Sequence, residues 1–280
     1  MKIEKAKKMG FCFGVRRAIE VMERGAKEYG GVESLGAVVH NHRVVEQLVQ
    51  LGVHAVPRLE QLEGPVVAIS SHGVSPDVVE SMHRRGFHVL DATCPVVRRA
   101  QHASQALAKA GFWVVVFGDE GHPEVQGVLG WAQGKGVAAL DAEKLSLPGL
   151  PRKLGILCQT TQSPELYIRF VRGVMSTLPM RFAELRVMNT ICRATIERQT
   201  AALELARRVE LLLVVGSSNS ANTRHLVEIC SPLVETHLVE AVDGIDLSWL
   251  NGHSRLGVTA GASTPDEVID EVVKKLESIA

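Results

Sequence analysis

The sequence predicts an α/β protein built from three pseudo-threefold-related α/β units, on three observations. First, a phrase that begins at a cysteine and opens a helix occurs as "CFGVRRAIEVMERGAKEYGG" at 12–31, "CPVVRRAQHASQALAKAGF" at 94–112 and "CRATIERQTAALELARRVE" at 192–210. Second, each phrase leads into a short apolar run and then a polar cluster: "SLGAVV" before "HNH", "WVVVFG" before "DEGHPE", and "LLLVVG" before "SSNSAN". Third, His40, His122 and Ser220 each stand 28 residues beyond their cysteine, and three equal spacings seldom arise by chance.

In chain order, Val15, Ile19, Met22 and Ala26 fall on one face at helical spacing, so the first phrase reads as an amphipathic helix. "SLGAVV" follows as a strand, then a second helix-like stretch, then a strand in "VVAISSHGV" at 66–74. The second unit repeats this with "WVVVFG" and "LGILCQTTQS" at 154–163, and the third with "LLLVVG" and "LGVTAGAST" at 256–264. Helix and strand alternate throughout, which predicts parallel sheets with their polar strand ends on one side. The stretches 55–65 and 142–153 read as loops, rich in Pro and Gly. Joints fall near the cysteines, giving units at 13–93, 94–191 and 192–280, with a strand in 1–12. No Pro/Ser-rich linker separates them, so they are expected to pack about a shared centre.

Composition excludes several function classes. A chain of 280 residues with 46% hydrophobic and 22% charged residues has enough material for a substantial core. Its 31 basic residues are balanced by 31 acidic ones, which argues against a nucleic-acid partner. The opening "MKIEKAKKMGFCFGV" has no apolar leader, and runs such as "FWVVVF" are too short for a bilayer, so a cytoplasmic protein without membrane contact is expected. Cys12, Cys94, Cys158, Cys192 and Cys230 form no C-x-x-C pair, and free thiols or metal ligands suit a reducing compartment better than disulfides.

The repeat singles out Cys12, Cys94 and Cys192. Related by a threefold, they would converge on one point, each at a helix start whose dipole favours thiolate, the metal-binding form. Three sulfur ligands suit an iron–sulfur cluster or zinc, and three where four are usual leave a metal position open for substrate. Cys230, in "RHLVEIC", reads as a small buried hydrophobe; Cys158, beside "QTT", stays open between that reading and a role at the site.

The polar strand ends carry His40, His72, His122, Ser217, Asn219, Thr160 and Ser263, donors of the kind that hold phosphate or carboxylate oxygens at helix starts. Without a G-x-x-x-x-G-K-[ST] loop, a small polyanion is implied rather than a nucleotide in such a cradle. His42 is placed outside the site, as a support. His54, His83, His88, His102, His225, His237 and His253 read as surface residues. Glu124, two residues after His122, stands open on pattern alone between complementing a helix dipole and delivering a proton beside a metal. Arg16, Arg17, Arg98 and Arg99 oppose the dipoles of their helices, for which a positive field around a cofactor or anion would be the functional reason.

At this point "GFCFGVRRAI", "VVHN", "SSHGV", "DATCP", "GHPEV", "QTT", "TIC.AT..RQ", "VVGSSNS" and "GVTAGASTP" together resemble the 4-hydroxy-3-methylbut-2-enyl diphosphate reductase family, from near residue 9 to 266. The resemblance implies a trefoil-like arrangement of three α/β domains around an iron–sulfur site, the N-terminal strand joining the third. It implies that Cys12, Cys94 and Cys192 hold a [4Fe–4S] cluster with one iron open to substrate. His40, His72, His122, Ser217, Asn219 and Ser263 would hold the diphosphate, with a further contact from Ser218. Glu124 would be the proton source, helped by Thr160, and ferredoxin or flavodoxin would supply the electrons. The reaction implied is reductive loss of the allylic hydroxyl, giving isopentenyl and dimethylallyl diphosphates. Arg193, Ile196 and Glu197 depart from relatives with aromatic or small polar residues after the third cysteine. The nearest alternative is a redox-neutral iron–sulfur dehydratase of a small anionic substrate, distinguished by its indifference to reductant.

Overall fold

The structure is a computed structural model that describes residues 1–149, 151–177 and 182–279. Among the described residues it is α/β, with three sheets of four strands and all strand pairs parallel. The chain divides into two compact units, Met1–Arg16 with Val39–Gln47 and Arg193–Ala280, and Arg17–Val38 with Leu48–Cys192.

The first unit carries the sheet of β1 (Lys2–Lys5), β10 (Leu211–Val215), β11 (Glu235–Val239) and β12 (Arg255–Ala260), in the order β1-β12-β10-β11. Its central strand, "LLLVV", is apolar at every position because both faces are covered. Leu211, Leu213 and Val215 pack with Val268, Val272 and Leu276 of α9 (Asp266–Ile279). Leu212 and Val214 pack on the other side with Ala202 and Leu205 of α7 (Arg193–Ala206) and Leu226 of α8 (Ala221–Cys230). Full burial of each such Leu or Val contributes about 1.5–3 kcal/mol. β1 adds to the edge through Ile3↔Leu256 and its neighbours, so the N-terminal strand belongs to the sheet of the last residues.

The second unit carries two sheets. One holds β2 (Val32–Leu35), β3 (Val53–Val56), β4 (Val66–Ile69) and β5 (His88–Asp91), ordered β3-β2-β4-β5. The other holds β6 (Trp113–Phe117), β7 (Gly136–Ala139), β8 (Lys153–Cys158) and β9 (Glu184–Val187), ordered β7-β6-β8-β9. Val114, Val116 and Leu157 of the latter meet Ala100 and Leu107 of α4 (Pro95–Lys109) and Val125 and Val128 of α5 (Pro123–Gly130). Among the described residues the other α-helices are α1 (Phe13–Tyr29), α2 (His42–Gln50), α3 (Pro76–Arg84) and α6 (Pro164–Thr177). As expected from the pattern, Val15, Met22 and Ala26 of α1 are buried.

One expectation is corrected. The strand read at "SLGAVV" is Val32–Leu35, and the chain turns at Gly36, whose φ of 73° suits glycine alone without strain. Val38 and Val39 are buried, but in a loop rather than a strand. The 55–65 stretch begins inside β3, and the last residue of 142–153 opens β8; Leu150, within the latter loop, lies outside the described residues.

Candidate active site

Strands β4, β6 and β8 of the second unit end at residues 69, 117 and 158, just before the polar clusters. At the end of β8, Thr160 meets Glu124. The Thr160 amide donates to Glu124 Oε1 at 2.6 Å, and the Thr160 hydroxyl donates to Oε2 at 2.9 Å. Glu124 is 2% exposed and Thr160 5%. Burial pushes the Glu124 carboxyl up, to about 7, against the lowering effect of the two Thr160 hydrogen bonds. The acid is thereby poised to hold a proton near neutral pH and still release it.

His122 caps α5. Its Nδ1 accepts the Glu124 amide at 3.1 Å, with Pro123 at the first helical position. That bond commits Nδ1 as an acceptor, so the neutral ring carries its proton on Nε2 and offers it as a donor. The His72 ring meets the His122 ring edge-on, with centroids 5.5 Å apart, and His72 Nδ1 lies 3.3 Å from Ser70 Oγ.

Two of the three repeat cysteines, Cys94 and Cys192, belong to this unit. Cys94 is the N-cap of α4, its amide donating to the Ser71 carbonyl at 3.0 Å. Cys192 immediately precedes α7, and its amide donates to the Thr160 carbonyl at 2.9 Å. A connected path therefore runs Cys192–Thr160–Glu124–His122. The clasp is completed by Thr190, the first residue of "TIC.AT..RQ", to which the sequence assigned no role. Its hydroxyl accepts the Cys158 amide at 2.9 Å and donates to the Cys158 carbonyl, holding the approach to Cys192 against the end of β8.

In the first unit, Cys12 precedes α1. Its amide donates to the Ala262 carbonyl at 3.1 Å, and its sulfur accepts the Val15 amide at 3.5 Å, a thiol in the capping role. Buried Arg198 donates through Nη2 to the Gly10 carbonyl at 2.8 Å, two residues before Cys12. Ser263 Oγ donates to the His40 carbonyl at 3.2 Å. Burial first, and then the charge of Arg224, lower the His40 pKa. Ser217 Oγ accepts the Asn219 amide at 3.2 Å, and Ser220 caps α8 by accepting the Thr223 amide at 3.4 Å. Ser218 is turned to Glu240: its amide and its hydroxyl both donate to Glu240 Oε1, each at 2.7 Å.

Thus the structure places Cys94, Cys192, His72, His122, Glu124 and Thr160 in one unit, and Cys12, His40, Ser217, Ser218, Asn219 and Ser263 in the other. Thr190 and Arg198 stand in the motif "TIC.AT..RQ" without an assigned role, and Glu240 in no motif, because their partners are remote in sequence. The available signal was the motif itself, which contains both Thr190 and Arg198. Three of the four arginines have a local explanation: Arg16 pairs with Asp266 at 3.2 Å, Arg17 donates to the Thr93 and Asp91 carbonyls, and Arg98 pairs with Asp91. Cys158 and Cys230 are buried; burial, then Glu124, raise the Cys158 thiol well above its ordinary range, and burial pushes Cys230 up to about 11. Both are thiols held neutral. Of the described helices, none is long and apolar enough to cross a membrane.

Parallel sheets that present thiols, imidazoles, hydroxyls and a buried acid beyond their strand ends define the class as an α/β enzyme with acid chemistry. Residues 3–277 match the family model described as "LytB protein", and the chain belongs to that family. It is 47% identical to the "4-hydroxy-3-methylbut-2-enyl diphosphate reductase" of Dehalococcoides mccartyi (strain CBDB1), over 100% of this chain and 99% of the relative. It is 42% identical to the protein of the same name from Geobacter metallireducens, over 100% of this chain and 98% of the relative. Among solved structures it resembles the "E-1-hydroxy-2-methyl-but-2-enyl-4-diphosphate reductase from Plasmodium falciparum", with TM-score 0.90 and 28% identity, covering 98% of this chain and 87% of that one. A second, "(E)-4-Hydroxy-3-methyl-but-2-enyl Diphosphate Reductase, the Terminal Enzyme of the Non-Mevalonate Pathway", aligns with TM-score 0.69 and 36% identity over 99% of both chains.

Proposed function

We propose that this chain reduces 4-hydroxy-3-methylbut-2-enyl diphosphate, removing its allylic hydroxyl to give isopentenyl and dimethylallyl diphosphates. Two electrons and two protons enter, the C–O bond breaks, and water leaves. The observation that carries the reading is the Glu124 carboxyl, buried yet grasped by Thr160, within a chain of the LytB family. An acid held near pH 7 suits protonation of a leaving hydroxyl.

The donor set fits an iron–sulfur group. Cys12, Cys94 and Cys192 are partly exposed thiols outside any disulfide at the starts of helices, whereas Cys158 and Cys230 are buried. Cys12, Cys94 and Cys192 would hold a [4Fe–4S] cluster, which when bound supplies electrons and a Lewis-acidic position. The protein's residues do the rest. His40, His72, His122, Ser217, Asn219 and Ser263 donate to the diphosphate, with a contribution from Ser218. That remote binding energy fixes the reacting carbon and excludes water. Thr160 keeps the Glu124 carboxyl oriented, and Glu124 Oε gives its proton to the departing oxygen. Ferredoxin or flavodoxin supplies the electrons.

The test is anaerobic purification followed by turnover of the allylic diphosphate with a reduced dye, comparing wild type with Glu124→Gln. Wild type is expected to consume dye only when substrate is present, and the variant to keep its brown colour with little activity. Turnover without reductant would overturn the proposal, and an equally active variant would remove Glu124 from its proposed role.

A further inference from the structure

We infer that Glu240 is a built-in competitor for the substrate's diphosphate at Ser218, a carboxylate that must leave before a phosphate oxygen can take its place. The inference rests on the diphosphate reading of the 217–220 loop and adds a residue that this reading does not include.

The placement follows from the sheet. β10 and β11 run parallel with Val215 opposite Val239, so the residues just beyond the two strands emerge side by side. Glu240 is the first residue past β11, and Ser218 is the third past β10. Both hydrogen-bond donors of Ser218 converge on a single carboxylate oxygen at 2.7 Å. A backbone amide and a hydroxyl aimed at one anionic oxygen are what a bound phosphate would require. These bonds, the backbone one first, hold the Glu240 carboxyl below its usual range, against partial desolvation and with help from the His42 ring. Arg224 also holds this loop, its Nη1 donating to the Ser218 carbonyl at 3.0 Å.

Ser218 therefore has no donor to spare while Glu240 is engaged. Two anions cannot share one pair of donors without strong repulsion, so substrate meets a competent loop only in the fraction of molecules whose carboxylate has swung out. Apparent affinity is reduced by that fraction. The opposite role, a brace that keeps the loop ready for substrate, predicts the opposite sign.

The experiment measures binding of inorganic diphosphate to the full-length protein by titration calorimetry, for wild type, Glu240→Gln, Glu240→Ala and Ser217→Ala. If Glu240 competes, the Ala variant binds roughly fivefold to tenfold more tightly, by the population-shift relation, and the Gln variant lies between. KM for the allylic diphosphate falls by the same factor with kcat unchanged. Unchanged or weaker binding in both Glu240 variants, alongside measurable wild-type binding, overturns the competitor role alone. Diphosphate binding that is absent in wild type, or indifferent to Ser217→Ala, sinks the diphosphate reading of the loop, and the competitor role with it.

Discussion

Replacing Glu124 by Gln should stabilise the protein in alkaline solution while removing its acid. The side chain is 2% exposed, and its folded-state pKa of about 7 compares with an ordinary value of 4.5. Between those values the folded chain binds more protons than the unfolded one, so stability falls as pH rises. Above the folded pKa, wild type carries the full cost of a buried carboxylate. A difference of about 2.5 pKa units, at 1.36 kcal/mol each, makes that cost about 3 kcal/mol. Gln is neutral and nearly isosteric. Its carbonyl oxygen can accept the Thr160 amide, and the Thr160 hydroxyl can rotate to accept from its NH₂ group. The variant should thus match wild type within about 1 kcal/mol at pH 4 and exceed it by about 3 kcal/mol at pH 8. Urea unfolding of the two proteins, at matched iron content and at several pH values, measures this directly. A stability difference that does not change between pH 4 and pH 8 would refute the buried, proton-holding carboxyl.

Further outcomes follow from the same geometry. Thr160→Val removes a hydroxyl that favours the ionised acid, a hydrogen bond worth about 1.5–3 kcal/mol, so the alkaline limb of the kcat profile should move up by about one to two pH units. An unmoved limb would dissociate Thr160 from the acid. Cys94→Ser should lower iron and sulfide content per chain and bleach the visible absorption while leaving the far-UV circular dichroism intact, as assayed chemically and spectroscopically. Gly130→Ala places a Cβ 2.2 Å from the Cβ of Ser75, the residue capping α3, and thermal unfolding should report a loss of about 1–3 kcal/mol.

Much of the architecture was legible because it repeats. The cysteine-helix phrases appear as α1, α4 and α7, and the apolar runs at 113–117 and 211–215 are central strands with both faces covered. The less regular pieces were harder to see. β3, β5, β7 and β9 are sheet edges of four residues each, partly exposed and mixed in polarity, so no clean period marks them. The Val38–Val39 pair imitates a strand because burial in a loop selects the same residue types as burial in a sheet.

The candidate site divides along a similar line. Residue types at strand ends, at equal spacing from equivalent cysteines, are one-dimensional information, and they suffice to nominate thiols, imidazoles and hydroxyls. The sequence by itself therefore determined the α/β class, the repeat and the list of candidate groups. Only the tertiary structure showed that Glu124 is buried against Thr160. Its burial and its bonds to a threonine 36 residues away set its proton affinity, and a dielectric environment has no signature in a linear pattern. For the same reason the contacts of Thr190 and Glu240 became visible only when parallel strands brought distant segments side by side.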